Sequence, residues 1–217
     1  MPSRVRATAR ALVKAGNTPL ARARATRTFA AAPRPIKLEI GGVARRSGWV
    51  VTNVNALARN YLDATVRWPL EDGSVSHVYA DNVIEHLPLA AGRTMLAEAH
   101  RCLQSGGVIR LVTPDIRAHV EMYLAGSEAL NSAPGRHYRD LGLTVEHPVD
   151  LLRIPIGQFG HHEGYVYDFA TLDAELQRAG FGRGTRHPLG QSEHADLIGL
   201  DQRTDEGGAQ VAVEAVR

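Results

Sequence analysis

Apolar and polar positions alternate along this chain in two rhythms, and the rhythms trade places several times. A period of two marks strands and a period near 3.6 marks helices. Ile36–Ile40 reads as a strand that stops at Gly41-Gly42, and Trp49–Asn53 reads as a second short one. Asn60–Asp63 reads as a third, and Val75–Ala80 as a fourth after the Glu71-Asp72-Gly73-Ser74 turn. Pro88–Leu103 places Leu89, Leu96, Ala99 and Leu103 on one helical face. Gly106-Gly107 ends that helix and leads into a strand at Val108–Thr113. Asp115 and Asp168 each stand where a helix N-cap belongs, and Gly180-Phe181 fits a glycine C-cap with its apolar clasp. Residues 126–165 read as loop-rich, and Thr185–Leu189 and Gln210–Val216 as late strands, the last antiparallel.

Strands that alternate with helices imply an α/β fold with a mostly parallel sheet. One connection is too short for the rule. Between Ile40 and Trp49 there is no room for a regular helix, whereas a parallel crossover usually takes a dozen or more residues. A shortened, irregular first crossover is therefore expected. It removes or displaces the helix N-terminus that would otherwise face an anion.

Charge changes the picture at the N-terminus. The total of +2 conceals nine basic residues and no acid within residues 1–37, against a remainder of −7. The arm, residues 1–35, reads as a basic extension of two short helices. The first stops at Gly16-Asn17, and the second starts at Thr18-Pro19 and fades at Ala32-Pro33. Its apolar face is mostly alanine, which inserts weakly into membranes, and Phe29 is its lone aromatic, a poor platform for bases. A solvated or self-packing helix pair is the first reading, a peripheral membrane or protein contact the second, and nucleic acid the third. With 44% hydrophobic and 22% charged residues the chain is of ordinary globular composition. The basic leader lacks the apolar core of a secretory signal, so a cytoplasmic setting is expected. The single cysteine, Cys102, excludes an intramolecular disulfide framework. Both lysines, Lys14 and Lys37, lie at the N-terminal end, which excludes Schiff-base chemistry in the body.

In such sheets ligands sit beyond the carboxyl ends of strands. That points to Gly41-Gly42, Asn53, Asp63, Asn82 and Asp115. Glycines let a ligand lie against bare backbone, and Asp63 is a short acid suited to an exocyclic amine. Glu85-His86 follows the fourth strand at the lip of the same cleft. His161-His162-Glu163 looks metal-like, but neighbours on an extended segment face opposite sides. No HExxH or paired Cys/His spacing accompanies it. No metal is expected, and a substrate-facing histidine is the better reading.

The order of these segments resembles a known family. Lys37-Leu38-Glu39-Ile40-Gly41-Gly42, Ser47-Gly48-Trp49, Asp72-Gly73-Ser74-Val75 and Val83-Ile84-Glu85-His86-Leu87 resemble class I S-adenosylmethionine (SAM)-dependent methyltransferases. The likeness is strongest to the small group often associated with polysaccharide and glycosyltransferase genes. Arg101–Gly107 with Leu111-Val112-Thr113-Pro114-Asp115, and Tyr167-Asp168-Phe169 with Ala179-Gly180-Phe181, carry it onward over residues 36–217. The resemblance implies a Rossmann-like, mostly parallel seven-stranded sheet with helices on both faces. SAM would then be the cofactor, held by Gly41, Gly42, Asn53, Asp63, Asn82, Val83 and Glu85. His86, His161 and His162 are the candidate catalytic bases, and a small-molecule or glycan acceptor is implied, with O-methylation as the chemistry and polysaccharide biosynthesis as the setting. Two departures stand out. The usual Gly-x-Gly reads Gly41-Gly42-Val43, and Asn53 or Asn55 occupies the place of the acid that grips the ribose. A non-catalytic relative serving as a binding or assembly module is the alternative they raise.

Overall fold

The computed structural model describes residues 18–55, 57–201 and 209–217. The first arm helix expected before Gly16 lies outside them. Residues 18–31 form helix α1. Six strands follow: β1 (Ile36–Ile40), β2 (Val50–Thr52), β3 (Val75–Asp81), β4 (Leu103–Pro114), β5 (Thr185–His187) and β6 (Gln210–Val216). They are interspersed with α2 (Leu89–Cys102), α3 (Ile116–Leu124), α4 (Ala133–Asp140), α5 (Asp150–Gly157) and α6 (Phe169–Arg178). The spatial order is β2-β1-β3-β4-β6-β5. The first four strands are parallel, and β6 is antiparallel to both β4 and β5.

The sheet has six strands among the described residues, one fewer than expected. Residues 60–63 make only an isolated parallel bridge, Asn53 with Tyr61. The reason is local. The Asp63 carboxylate accepts from both the backbone N–H (3.0 Å) and the hydroxyl of Thr65 (2.6 Å), turning the chain away at once. Residues 126–165 also hold more helix than their sequence announces. Ser132 caps α4 through Gly135 N–H, but α4 and α5 are eight residues each, too short for a clear period.

Period-two alternation gives the sheet two unlike faces. One face buries Leu38, Val78, Ile109, Leu111 and Val213 under α1, α2 and α6. Ala21, Ala25 and Phe29 of α1 are within 1% of full burial in that core. The second half of the expected extension is thus part of the body. The opposite face carries Glu39, Tyr79, Arg110 and Glu214. Among the described residues it is covered by Trp49, Leu189, Leu197 and Leu200 from loops and a short turn, not by a long helix. Charge pairing closes it. Arg110 donates to Asp201 (Nε to Oδ1, 3.0 Å) and to Glu214 (2.5 Å). Lys37 meets Asp196 at 2.6 Å. The helix-free first crossover is present as expected, and Arg46 holds it by bonding Glu39 at 2.8 Å.

Candidate active site

The order in which strands are added reverses between β1 and β3, which run parallel. From β1 the chain moves out to β2, then returns to β3 on the other side of β1. The crevice at such a switch is where open α/β sheets take ligands. Gly41 ends β1 with φ +80°, and a Cβ there would come within 2.4 Å of Val83 Cγ2. The loops after β1 and β3 therefore touch, and Gly41 is required by that contact as well as by its φ. Gly42 is equally constrained: a Cβ would meet Glu39 Oε1 and Val51 Cγ1, both at 2.5 Å.

Asn53 ends β2 and acts on the same turn. Its Nδ2 donates to the carbonyls of Gly41 (3.1 Å) and Gly42 (3.3 Å), and its Oδ1 accepts from Asn55 N–H (3.0 Å). Gly42, Asn53, Asn55 and Asn60 line a cleft of about 900 Å³. That lies within the range of small-molecule sites. Among the described residues the charged side chains lining it are Arg45, Arg46 and Arg59, with no carboxylate. Such a lining suits a ligand bearing a carboxylate and hydroxyls. SAM, with its methionine carboxylate and ribose, fits that donor set. Asp63 is not in this cleft. It bonds Thr65 and lines a separate cavity beside Arg22 and Ala25 of α1.

Val83 touches the glycine turn, and Asn82 before it opens on the other side. Asn82 has φ +49°, and its buried Oδ1 has no hydrogen-bond partner among the described residues. It lines a cavity of about 160 Å³ with His86, Tyr138, Phe159 and His161. Two features bring the His161 segment against the Glu85-His86 turn. Tyr165 N–H donates to Glu85 O at 3.1 Å. Gly164 lies so close that a Cβ would fall 1.9 Å from that oxygen. His86 and His161 rings then sit with centroids 4.7 Å apart.

Of the three histidine candidates, His161 is buried and His86 is exposed at the cavity, while the His162 side chain is 62% exposed beside Glu163. His161 and His162 do diverge in exposure, but on a 3-10 turn over His161–Glu163 and not on the extended segment expected. Glu85 is fully buried, with Oε1 4.0 Å from His161 Nε2, so it belongs to the histidine side and not to the Gly42 cleft.

His119 and Tyr138 escaped the sequence reading. His119 Nδ1 lies 2.9 Å from Asp115 O, so it carries the proton, and Nε2 accepts from the Tyr138 hydroxyl at 2.7 Å. Burial pushes the His119 pKa below its usual value, keeping the ring neutral for this role. The i, i+4 spacing of Asp115 and His119 was the available signal; Tyr138 had none.

A family model described as a methyltransferase domain matches residues 42–111, from the glycine turn into β4. No curated protein matches the sequence. Among solved structures, a SAM-dependent methyltransferase from Thermotoga maritima is 17% identical, with 91% of each chain covered and a TM-score of 0.47. Phosphoethanolamine N-methyltransferase 2 of Haemonchus contortus, in complex with S-adenosyl-L-methionine, is 13% identical with a TM-score of 0.45. That similarity covers 90% of this chain but 52% of the longer relative. Residues 42–111 thus match a methyltransferase domain, whose methyl donor is S-adenosylmethionine.

Proposed function

We propose that this protein transfers a methyl group from SAM to a hydroxyl of a small, uncharged acceptor such as a sugar. One observation carries the reading. Consecutive residues link the two halves of the crevice: Val83 packs on the Gly41 turn, and Asn82 lines the histidine cavity. Cofactor and acceptor held on either side of that dipeptide would meet at its backbone. The sulfonium supplies its own leaving group, so alignment is the main task of the protein. The acceptor oxygen forms the new C–O bond as the S–CH3 bond breaks. The bonding pair goes to sulfur, and the hydroxyl proton passes to the histidine cluster. His86, the exposed member, takes it in the metal-free site. The acidic body and the lack of Lys or Arg among the described residues lining the histidine cavity favour a neutral acceptor over a polyanion.

A second reading, a binding module that keeps the fold without the chemistry, is favoured by Asn53. Its amide is engaged by the glycine turn, and among the described residues no carboxylate lines the cleft for the ribose. The two part on one assay. Label from methyl-labelled SAM should enter a panel of free sugars and small alcohols, and His86→Gln should reduce kcat more than KM. S-adenosylhomocysteine (SAH) binding with no label transfer to any acceptor would favour the binding module.

A further inference from the structure

The structure brings together three side chains whose chemistry is that of a metal site. One ligand atom each from Glu85, His86 and His161 lies within 4.8 Å of the other two. We propose that this cluster binds a divalent transition-metal ion such as Zn2+, Co2+ or Mn2+, with its open side toward the 160 Å³ cavity.

The donor set is the first argument. Two imidazoles and one carboxylate suit borderline cations, whereas Mg2+ and Ca2+ prefer all-oxygen shells. Three protein ligands with a free position is the arrangement of reactive sites, and four is that of structural ones.

The orientation of His161 is the second. Its Nδ1 lies 2.7 Å from the Pro155 carbonyl oxygen, which can only accept, so the Nδ1 position carries the proton. This is the outer hydrogen bond that typically fixes a metal-binding histidine. The lone pair is thereby left on Nε2, which faces Glu85 Oε1 at 4.0 Å. That separation is too long for a hydrogen bond. Metal bonds of about 2.0–2.2 Å would set the two atoms roughly 3–4 Å apart.

Rigidity and burial are the third. Glu85 is fully buried and His161 is 5% exposed, so a cation between them would be held in a low-dielectric setting with a matching charge. The Gly164 approach and the Tyr165-to-Glu85 bond fix the two segments together. His86 completes the set from the open side, its Nδ1 near Gly160. The sequence reading tested the wrong trio. His162 and Glu163 point away, and the ligands come from two distant segments.

Binding itself does not depend on the methyltransfer reading. Its consequence does: with the ion bound, His86 is a ligand, and the cation lowers the pKa of an acceptor hydroxyl, whose proton then passes to water.

The test uses the full chain, free of affinity-tag histidines and stripped of metal, titrated with Co2+ and followed by visible absorption. One equivalent of Co2+ should bind and develop ligand-field bands. Zn2+ should displace it. His161→Gln and Glu85→Gln should each weaken binding at least about tenfold, and His162→Gln should leave it unchanged. If Glu85→Gln does not fold, His86→Gln, at an exposed position, serves in its place. No Co2+ binding at about 1 mM, or binding indifferent to His161→Gln and His86→Gln, would overturn the site. SAH binding measured on the same samples separates the two ideas. Co2+ binding without SAH binding supports the site while counting against methyl transfer. SAH binding without Co2+ binding overturns the site alone.

Discussion

Asn53 Nδ2 donates to the carbonyl of Gly41 at 3.1 Å, so the end of β2 holds the turn at the end of β1. The amide does what a carboxylate at this position would not, because two carbonyls need a donor. Asn53→Asp should therefore not improve cofactor binding. It would set a charge against the Gly41 and Gly42 oxygens and cost about 1–3 kcal/mol of stability. Chemical denaturation of the two proteins checks the cost, and a more stable Asp variant with tighter SAH binding would contradict it.

The second face of the sheet rests on Arg110, which has no exposure and is paired with Asp201 and Glu214. Asp201 also accepts from Gly190 N–H at 2.7 Å, tying the 188–201 segment over the sheet. Removing Asp201 strands the buried Arg110 Nε and Nη2 donors and Gly190 N–H, and leaves Glu214 to hold the guanidinium. Asp201→Ala should cost roughly 3–5 kcal/mol. Replacing Lys37, whose partner Asp196 is 45% exposed, should cost less than about 1 kcal/mol. Equal losses for the two variants would show that Arg110 is not the anchor.

Acid should destabilise the protein in two stages. Burial depresses the His119 and His77 pKa values below the usual 6.5. As pH falls through about 6.5 the unfolded chain takes up protons that the folded chain refuses. Stability is therefore full above that pH and declines below it, by up to about 1.4 kcal/mol per pH unit for each histidine. The second stage comes lower. Hydrogen bonds from Arg93 to Glu175 and from Thr171 to Asp168 depress those carboxyl pKa values. Their contribution is present above the ordinary carboxylate range and lost as pH falls through their lowered folded values. Urea midpoints from pH 8 to pH 3 should trace both stages, and His119→Gln should flatten the first. A flat profile between pH 7 and pH 5 would refute this assignment.

Cys102 sits on α2 with no exposure, and burial pushes its thiol pKa up to about 12. At pH 8 only about one molecule in ten thousand would carry a thiolate, and it would still be shielded. A disulfide reagent should leave the native protein unlabelled and modify one thiol per chain in urea. Rapid native labelling would mean that α2 opens far more readily than its packing implies.

The strands at Ile36–Ile40 and Gln210–Val216 were legible because they repeat at a period of two and end at glycine or charge. The caps at Asp115 and Asp168 were legible because the bond each makes spans only two or three residues. The helix-free crossover followed from counting residues between Ile40 and Trp49. What escaped depends on distance along the chain. The Arg110–Asp201 pair spans 91 residues, so nothing local announces it. Asp63 looked like a ligand for adenine because its turn onto Thr65 was not recognised. The Gly41 and Gly42 signal was real, but its cause is the proximity of Val83, Glu39 and Val51. The histidine pair was visible only as two separate fragments, since Gly164 brings them together in three dimensions.

The central claim is that the cleft beside Gly42 and Asn53 holds the adenosyl cofactor. Calorimetric titration of SAH into the full chain tests it most directly. The account predicts saturable binding at one site. Gly42→Ala should weaken it at least about tenfold, because the new methyl displaces Glu39 and Val51 from the turn, while circular dichroism stays unchanged. No heat of binding with about 1 mM SAH, or binding unaffected by Gly42→Ala, would contradict it.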